Sequence, residues 1–411
     1  MHLAILTQYY PPEIGAPQAR LSSLAEALVR RGHRVTVVTA MPNYPAGVIQ
    51  KGYGGLFRRE YRNGVRVLRT WLVPSRRSAM IPRLTCYFSF AASSALVSAA
   101  LLPRPDYLMV ESPPLFLGPT GLLLARLKGA RLIFNVSDLW PESAVRLGVV
   151  RDGSLPHRLS AALESRCYRG AWLVTGQTRD IVDDIGTRFP ATSTYHLPNG
   201  VDCRRFGPEH GDPATHRLVH FEGRCTALYA GLHGLAQGLD QVLDAAAVIP
   251  PEGGMEFVLV GDGPLRESLM RRARAEGISH VHFLESRPHA EVPGLLAAAD
   301  ILIVPLHESL TNAVPSKLYE ALASGRPVVL IAGGDAARIV REAEAGVVVP
   351  HNDRAALAAA LLRLAGDAAL RARLGANGRR IATERFDRSH IAERFLALLQ
   401  AGLTRRDRAH G

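Results

Sequence analysis

The sequence predicts an α/β protein of two doubly wound domains, each a parallel sheet flanked by helices, facing each other across a cleft. Three observations predict it. The chain has 411 residues, too long for one ordinary core and suited to two domains of about 200 residues each. Apolar runs of strand length alternate with amphipathic helical stretches, the order of parallel βαβ units. That alternation occurs twice, on either side of PNGVDCRRFGPEHGDP at 198–213, a stretch rich in Pro, Gly and Asp.

In the first half the strand-like runs are 2–7, 34–40, 65–71, 106–112, 131–136 and 172–177, with helical patterns over 17–31 and 117–128. In the second they are 226–231, 256–261, 281–285, 301–306, 328–332 and 346–350. The tail RFDRSHIAERFLALLQ, 385–400, reads as a helix. Open α/β sheets place ligands outside the carboxyl ends of their strands, so two facing sheets predict a site in the cleft between them.

The composition, 47% hydrophobic and 21% charged, is that of a globular chain and excludes a disordered one. The start, MHLAILTQYYPPE, lacks a basic segment and a small-residue cleavage site, so a cytoplasmic location is expected. Cys86, Cys167, Cys203 and Cys225 are scattered without CxxC spacing, which fits buried, reduced thiols. The net charge of +12 is lopsided: residues 1–200 hold 24 Lys+Arg and 12 Asp+Glu, while 201–411 hold 25 of each. Arg58, Arg59, Arg62, Arg66, Arg69, Arg76, Arg77 and Arg83 lie close together with one acid, Glu60. Such a cluster attracts phosphates, of lipid head groups or of nucleic acid.

Four motifs fall at strand ends. In QYYPPEIGAPQAR, Gly15 and Ala16 precede a helix carrying Arg20. Small residues there either let backbone N–H groups approach a phosphate or simply make a turn. In NVSDLWPES, 135–143, Asp138 and Glu142 follow a strand. Asp138 is either a helix cap or a carboxylate that hydrogen-bonds a sugar hydroxyl or accepts its proton. In GDGP, 261–264, Gly261 and Gly263 permit a tight turn, structural or beside a nucleotide. The most specific motif is NAVPSKLYEALASGRPVV, 312–329. Pro315 and Ser316 suit a helix start, where the N–H groups of Ser316, Lys317 and Leu318 and the Lys317 ammonium suit a diphosphate. Glu320, one turn on, suits two hydrogen bonds from ribose hydroxyls.

With this motif the chain resembles the family 4 retaining glycosyltransferases, which have the GT-B fold of two Rossmann-like domains. The resemblance covers nearly the whole chain: the loop around Gly15, PNGVD at 198–202, VGDGP at 260–264, AADILIVP at 298–305 and PSKLYEALASGRPVV at 315–329. DLWPES and YAGLHGLAQGLD, 229–240, look closer to a branch that adds sugars such as N-acetyl-L-fucosamine during O-antigen and capsule synthesis. The resemblance implies an acceptor domain over 1–197, a donor domain over 198–384 and a helix over 385–402 packing back on the first. It implies a nucleoside-diphosphate sugar held by the second domain, with Gly231 and Gln237 in the donor site, and a metal-independent reaction that retains configuration.

Two departures stand out. Of the family's paired glutamates, eight positions apart, Glu320 matches the second and Asn312 stands at the first. The Arg and Lys that many relatives place on the pyrophosphate correspond to Leu232 and Gln237. Lys317, Arg20 and helix N-termini are then expected to supply the positive potential. In such a reaction the donor's β-phosphate takes the acceptor proton as the leaving group departs, and Asp138 orients or helps deprotonate the acceptor. The alternatives are a non-catalytic nucleotide-sugar-binding protein and a GT-B sugar-nucleotide epimerase.

Neither a metal nor another cofactor is expected: no DxD motif or His/Cys cluster has ligand spacing. The expected partners are a nucleotide-sugar donor, a glycan or polyprenyl-diphosphate-linked acceptor, and an anionic inner-membrane surface; no nucleic-acid motif accompanies the arginines. Beside them, LTCYFSFAASSALVSAALL, 84–102, is uncharged over nineteen residues. It reads as a helix of the first domain, either plain core or partly exposed to a membrane interface. Spanning is disfavoured, because it would put the flanking strands on opposite sides of a bilayer. Changing Arg58, Arg59, Arg76 and Arg77 to Ser is expected to weaken binding to anionic vesicles.

Overall fold

The computed structural model describes residues 1–76, 80–146, 148–310 and 313–410. They form two compact units, Met1–Asn199 with Arg388–Gly411, and Gly200–Asp387. Each is an α/β unit with a parallel sheet at its centre, the predicted fold class. Arg77 and Asn312 lie outside the described residues.

In chain order, unit 1 contains β1 (His2–Leu6), α1 (Ala16–Arg30), β2 (Arg34–Ala40), β3 (Phe57–Arg62), β4 (Val65–Thr70), α2 (Met80–Leu101) and β5 (Tyr107–Ser112). It continues with α3 (Leu117–Lys128), β6 (Arg131–Val136), α4 (Glu142–Arg146), α5 (Leu155–Gly170), β7 (Leu173–Gly176), α6 (Arg179–Arg188) and β8 (Thr194–His196). Its described strands run in the order β3-β4-β2-β1-β5-β6-β7-β8. Only β3 is antiparallel, paired with β4 at the edge.

Side chains alternate across a strand, and β1 shows the consequence. Leu3 and Ile5 pack with Leu21, Leu24 and Leu28 of α1. Ala4 and Leu6 pack on the other face with Phe90 of α2, Leu124 of α3 and Tyr168 of α5. Helix α2 buries a stripe, Cys86, Phe90, Ser94 and Ser98, at four-residue spacing, and Ser93 meets Thr70 of β4 at 3.0 Å.

Unit 2 contains α7 (Pro213–Val219), β9 (Cys225–Ala230), α8 (Asp240–Val248), β10 (Met255–Val260), α9 (Arg266–Ala275), β11 (Val281–Leu284), α10 (Val292–Ala298) and β12 (Ile301–Pro305). Then come α11 (Ser316–Ala323), β13 (Val328–Ile331), α12 (Gly334–Glu342), β14 (Gly346–Val349), α13 (Arg354–Gly366) and α14 (Ala368–Ile381). The described strands run β11-β10-β9-β12-β13-β14. The strand order therefore reverses between β9 and β12, the switch point at which an open α/β sheet takes ligands. The last helix, α15 (Arg388–His410), belongs to unit 1. There Ile391, Phe395 and Leu399 enter the apolar cluster of α1, and Tyr107 Oη donates to the Leu399 carbonyl at 2.7 Å.

The structure divides the arginine cluster. Directly opposed residues of an antiparallel pair point to the same side. Arg58, Glu60 and Arg62 of β3 oppose Arg69, Val67 and Val65, on the α1 side. Phe57, Arg59 and Tyr61 oppose Thr70, Leu68 and Arg66, on the α2 side. Arg69 is fully buried; it donates to Glu60 at 2.8 Å and to the Ala40 carbonyl at 3.1 Å. It is a structural residue, not part of a surface patch.

Candidate active site

In unit 2 the carboxyl ends of three strands and the start of α11 line one pocket of about 460 Å³. Gly231 and Leu232 follow β9, Gly261 and Asp262 follow β10, and Ser286, Arg287 and His289 follow β11. Ser316, Lys317 and Glu320 come from α11 beyond β12. The pocket thus sits at the switch point.

Its floor depends on glycines. Gly231 and Gly261 have φ of 151° and 146°, conformations that side chains rarely adopt. A Cβ on Gly231 would lie 2.0 Å from Lys317 Cε, and one on Gly261 would lie 1.8 Å from the Gly231 carbonyl oxygen. Gly263, with φ 153°, serves a different contact: its Cβ would meet the His233 oxygen at 2.5 Å. His233 ties the two loops together. Its N–H donates to the Asp262 carbonyl at 2.8 Å and its carbonyl accepts from Leu265 at 2.9 Å. Burial lowers the pKa of its imidazole and favours the neutral form.

Helix α11 begins at Pro315. The N–H of Leu318 already donates to the Pro315 carbonyl at 3.0 Å, and its side chain is in the core. This corrects the expectation that Leu318 offers an N–H to a phosphate; Ser316 and Lys317 remain for that role. The Lys317 ammonium lies 5.9 Å from the Tyr229 ring centroid, and Tyr229 is anchored by a 2.7 Å bond from its hydroxyl to the Leu232 carbonyl. Burial pushes the Lys317 pKa down while nearby Glu320 pushes it up. The site therefore holds a poorly solvated cation, which a phosphate would satisfy.

Leu232 is half exposed and lines the pocket without a charge. Gln237, in a short 3₁₀ turn over Leu235–Gln237, is not among the residues lining the pocket. Arg287 lines it instead and supplies a positive charge that the sequence reading missed. Its signal was position: ESRPHA directly follows a strand. Among the described residues no group of three or more His, Cys, Asp or Glu side chains is arranged to hold a metal ion.

In unit 1 the strand ends carry a buried polar network. Glu111, at the end of β5, accepts from Arg20 Nη2 at 2.6 Å and from Asn135 Nδ2 at 2.6 Å, and also from the Ser137 hydroxyl. Thr175 donates to Asn135 at 2.6 Å. Arg20 and Glu111 are both almost fully buried. Glu111 neutralises Arg20, which corrects the expectation that Arg20 adds free positive potential. Gly15 caps α1 with φ 170°, an extended conformation open to any residue, and Ala16 opens the helix.

Asp138 follows β6. Burial raises its pKa, against the nearby Ser143 hydroxyl and the charge of Arg146. Glu142, at the start of α4, lies 3.4 Å from Arg188. That arginine also binds Glu164 with both terminal nitrogens, at 2.9 Å each, so Glu142 belongs to an ion cluster of α4, α5 and α6.

Two α/β units with parallel sheets, the second carrying a pocket at its switch point, have the fold of the GT-B glycosyltransferases. Residues 15–200 match the family described as "Glycosyl transferase 4-like domain", and residues 215–381 match "Glycosyl transferases group 1". The two matches together span most of the chain, which belongs to this glycosyltransferase family. It is 28% identical to the colanic acid biosynthesis glycosyl transferase WcaI of Escherichia coli (strain K12), over 79% of this chain and 81% of that one. It is 27% identical to the glycosyltransferase WbjE of Pseudomonas aeruginosa, over 66% of this chain and 68% of that one. Among solved structures, HepE of Anabaena in complex with UDP superposes with a TM-score of 0.72 at 19% identity, covering 98% of this chain and 100% of that one. The chain is therefore a glycosyltransferase.

Proposed function

We propose that the chain transfers a sugar, with retained configuration and without a metal ion, from a UDP-linked donor to a glycan or polyprenyl-diphosphate-linked acceptor. An N-acetylfucosamine-like sugar is the donor reading that DLWPES and YAGLHGLAQGLD favour. The observation that carries the proposal is the convergence of Gly231, Gly261, Lys317 and Glu320 in one pocket. Glu320 takes the ribose hydroxyls. The Ser316 and Lys317 N–H groups, the Lys317 ammonium and Arg287 take the diphosphate, whose charge grows as the sugar leaves. A β-phosphate oxygen receives the acceptor proton, so no strong protein nucleophile is required. Asp138 orients the acceptor hydroxyl in unit 1. The enzyme works in the cytoplasm, peripherally on an anionic inner-membrane face.

Leu232 and Gln237, uncharged where relatives carry cations, favour a second reading as a nucleotide-sugar-binding protein without transfer. A thermal-shift screen of nucleotide sugars, followed by transfer assays of each hit with lipid extract, separates the two. Product formation supports the transferase. Tight donor binding with no product from any acceptor overturns it, and donor rearrangement without acceptor identifies an epimerase. Activity abolished by chelator and restored by manganese or magnesium would contradict metal independence.

A further inference from the structure

We infer that the outward side of the α2–α3–α5 helix layer in unit 1 is the membrane-docking face, and that the groove between the ends of α3 and α5 takes the phosphate of an anionic phospholipid. This deepens the peripheral-membrane reading above and rests on it.

Apart from Thr85, the exposed side chains of these helices are apolar or basic. On α2 they include Ile81, 78% exposed, Phe88 and Leu96, 74% exposed, with Arg83 at the helix start. Ile81, Phe88 and Leu96 recur on one helical side opposite the buried stripe, along a helix about 33 Å long, whereas Arg83 lies in line with the stripe and donates to Tyr87. The segment Ile81–Leu101 is long and apolar enough to cross a membrane by length and composition. Its buried stripe is nevertheless committed to the sheet and α3, which leaves the outer side for a surface contact. On α3 the exposed residues include Leu123, Leu127 and Arg126. On α5 they include Leu155, Leu159, Arg158, Arg166 and Arg169.

No acid interrupts this surface. Across the three helices the one carboxylate is Glu164, which is 1% exposed and bound by Arg188. Strand alternation extends the same side to Phe57, Arg59 and Tyr61 at the sheet edge. A protein partner would be expected to offer, and require, charges of both signs. The acids of this side, Asp180, Asp183 and Asp184, sit on α6 at its β7–β8 end; the apolar and basic surface of α2, α3 and α5 matches the interfacial zone of an anionic bilayer, where arginine stems lie along acyl chains and guanidinium groups reach phosphates.

The groove adds a place for a head group. It measures about 920 Å³, is lined by Arg126, Arg131, Arg166 and Arg169, and contains no acid. Arg131 is held at its edge, 5.4 Å from the Trp172 ring centroid and donating to the Gly402 carbonyl at 2.6 Å. Four guanidinium groups around one groove suit a phosphodiester, which accepts their paired N–H donors.

The test uses the full-length protein and sedimentation with vesicles of phosphatidylglycerol and phosphatidylcholine, or of phosphatidylcholine alone. The docking variant is Arg126→Ser/Arg166→Ser/Arg169→Ser. The control, Arg30→Ser/Arg58→Ser/Arg62→Ser, removes the same charge from the α1 side. The docking variant should bind anionic vesicles about a hundredfold more weakly, from the usual contribution of three arginines near an anionic surface. The control should lose less than about fivefold, and Leu96→Asp/Leu123→Asp should also lose binding with its arginines intact. Nucleoside diphosphate affinity should be unchanged in every variant, because the pocket lies in the other unit. Equal losses in the docking and control variants would overturn the face while leaving the peripheral reading standing. Equal binding to neutral vesicles, or no vesicle binding by the wild-type protein, would overturn both. Neither result would touch the transferase reading, which falls only if donor binding or transfer fails.

Discussion

Arginine behaves differently on the helices of unit 2 and on α3 and α5 of unit 1. In unit 2, Arg272 of α9 meets Asp244 and also Asp240 and Glu276, the last two at 3.4 and 2.7 Å. Arg224 meets Glu256 at 2.9 Å, and Arg338 of α12 meets Asp335 at 2.6 Å. In unit 1 the outer sides of α3 and α5 carry arginines with no exposed acid on the same helices. Exposed ion pairs are worth only about 0–1 kcal/mol, so leaving these arginines unpaired costs little stability. What it changes is the field: residues 201–411 balance their charges while residues 1–200 keep the whole excess. Unit 2 sets Lys317 and Arg287 in one pocket, whereas unit 1 spreads its arginines over a surface.

The largest expected effect breaks the pocket side of this contrast. Gly261→Ala puts a Cβ against the Gly231 carbonyl oxygen in a backbone conformation that alanine resists. Donor affinity by calorimetry should fall more than about a hundredfold while circular dichroism keeps the α/β signature. Unchanged affinity would show that the glycine approach does not shape the donor site. Glu320→Ala should cost roughly ten- to a hundredfold in donor affinity, since hydrogen bonds to a charged group contribute about 1.5–3 kcal/mol. A folded variant with full affinity would remove Glu320 from the ribose.

Asp138→Asn sharpens the contrast from the acceptor side. Turnover should drop severalfold or more while the donor dissociation constant stays nearly constant. Because burial raises the Asp138 pKa, the carboxylate is lost on acidification at a higher pH than an exposed aspartate. Wild-type turnover should therefore have an acid limb above the ordinary carboxylate range, and the Asn variant should lack it. Preserved turnover would return Asp138 to a helix-capping role. The smallest effect belongs to Arg287→Ser. That side chain is exposed at the rim, so diphosphate affinity should fall only a few fold and the loss should shrink in high salt.

The sequence announces twelve of the fourteen described strands, the central ones because strands buried on both faces read as unbroken apolar runs. It does not announce β3 or β8. FRREYR looks like a charge cluster, since an edge strand has little to bury, and only its pairing with β4 reveals that Arg58 and Arg59 face opposite ways. In the site, Lys317 and Glu320 are legible because a helix start and a one-turn spacing fix their relative positions locally. Arg287 and Glu111 are not, because their partners are distant in sequence. The fate of Arg20 is equally hidden: its neutralising carboxylate is 91 residues away.

The central claim is that the Lys317 ammonium, partly stripped of water at the start of α11, holds the diphosphate of a nucleotide-sugar donor. Titrating wild type and Lys317→Ala with UDP and with uridine by calorimetry tests it directly. The variant should lose at least about tenfold for UDP and less than about twofold for uridine. In the wild type UDP affinity should weaken as pH rises toward the lowered lysine pKa, because only the ammonium form attracts the phosphates. Equal losses for UDP and uridine, or a UDP affinity that ignores both the substitution and the pH, would contradict the account.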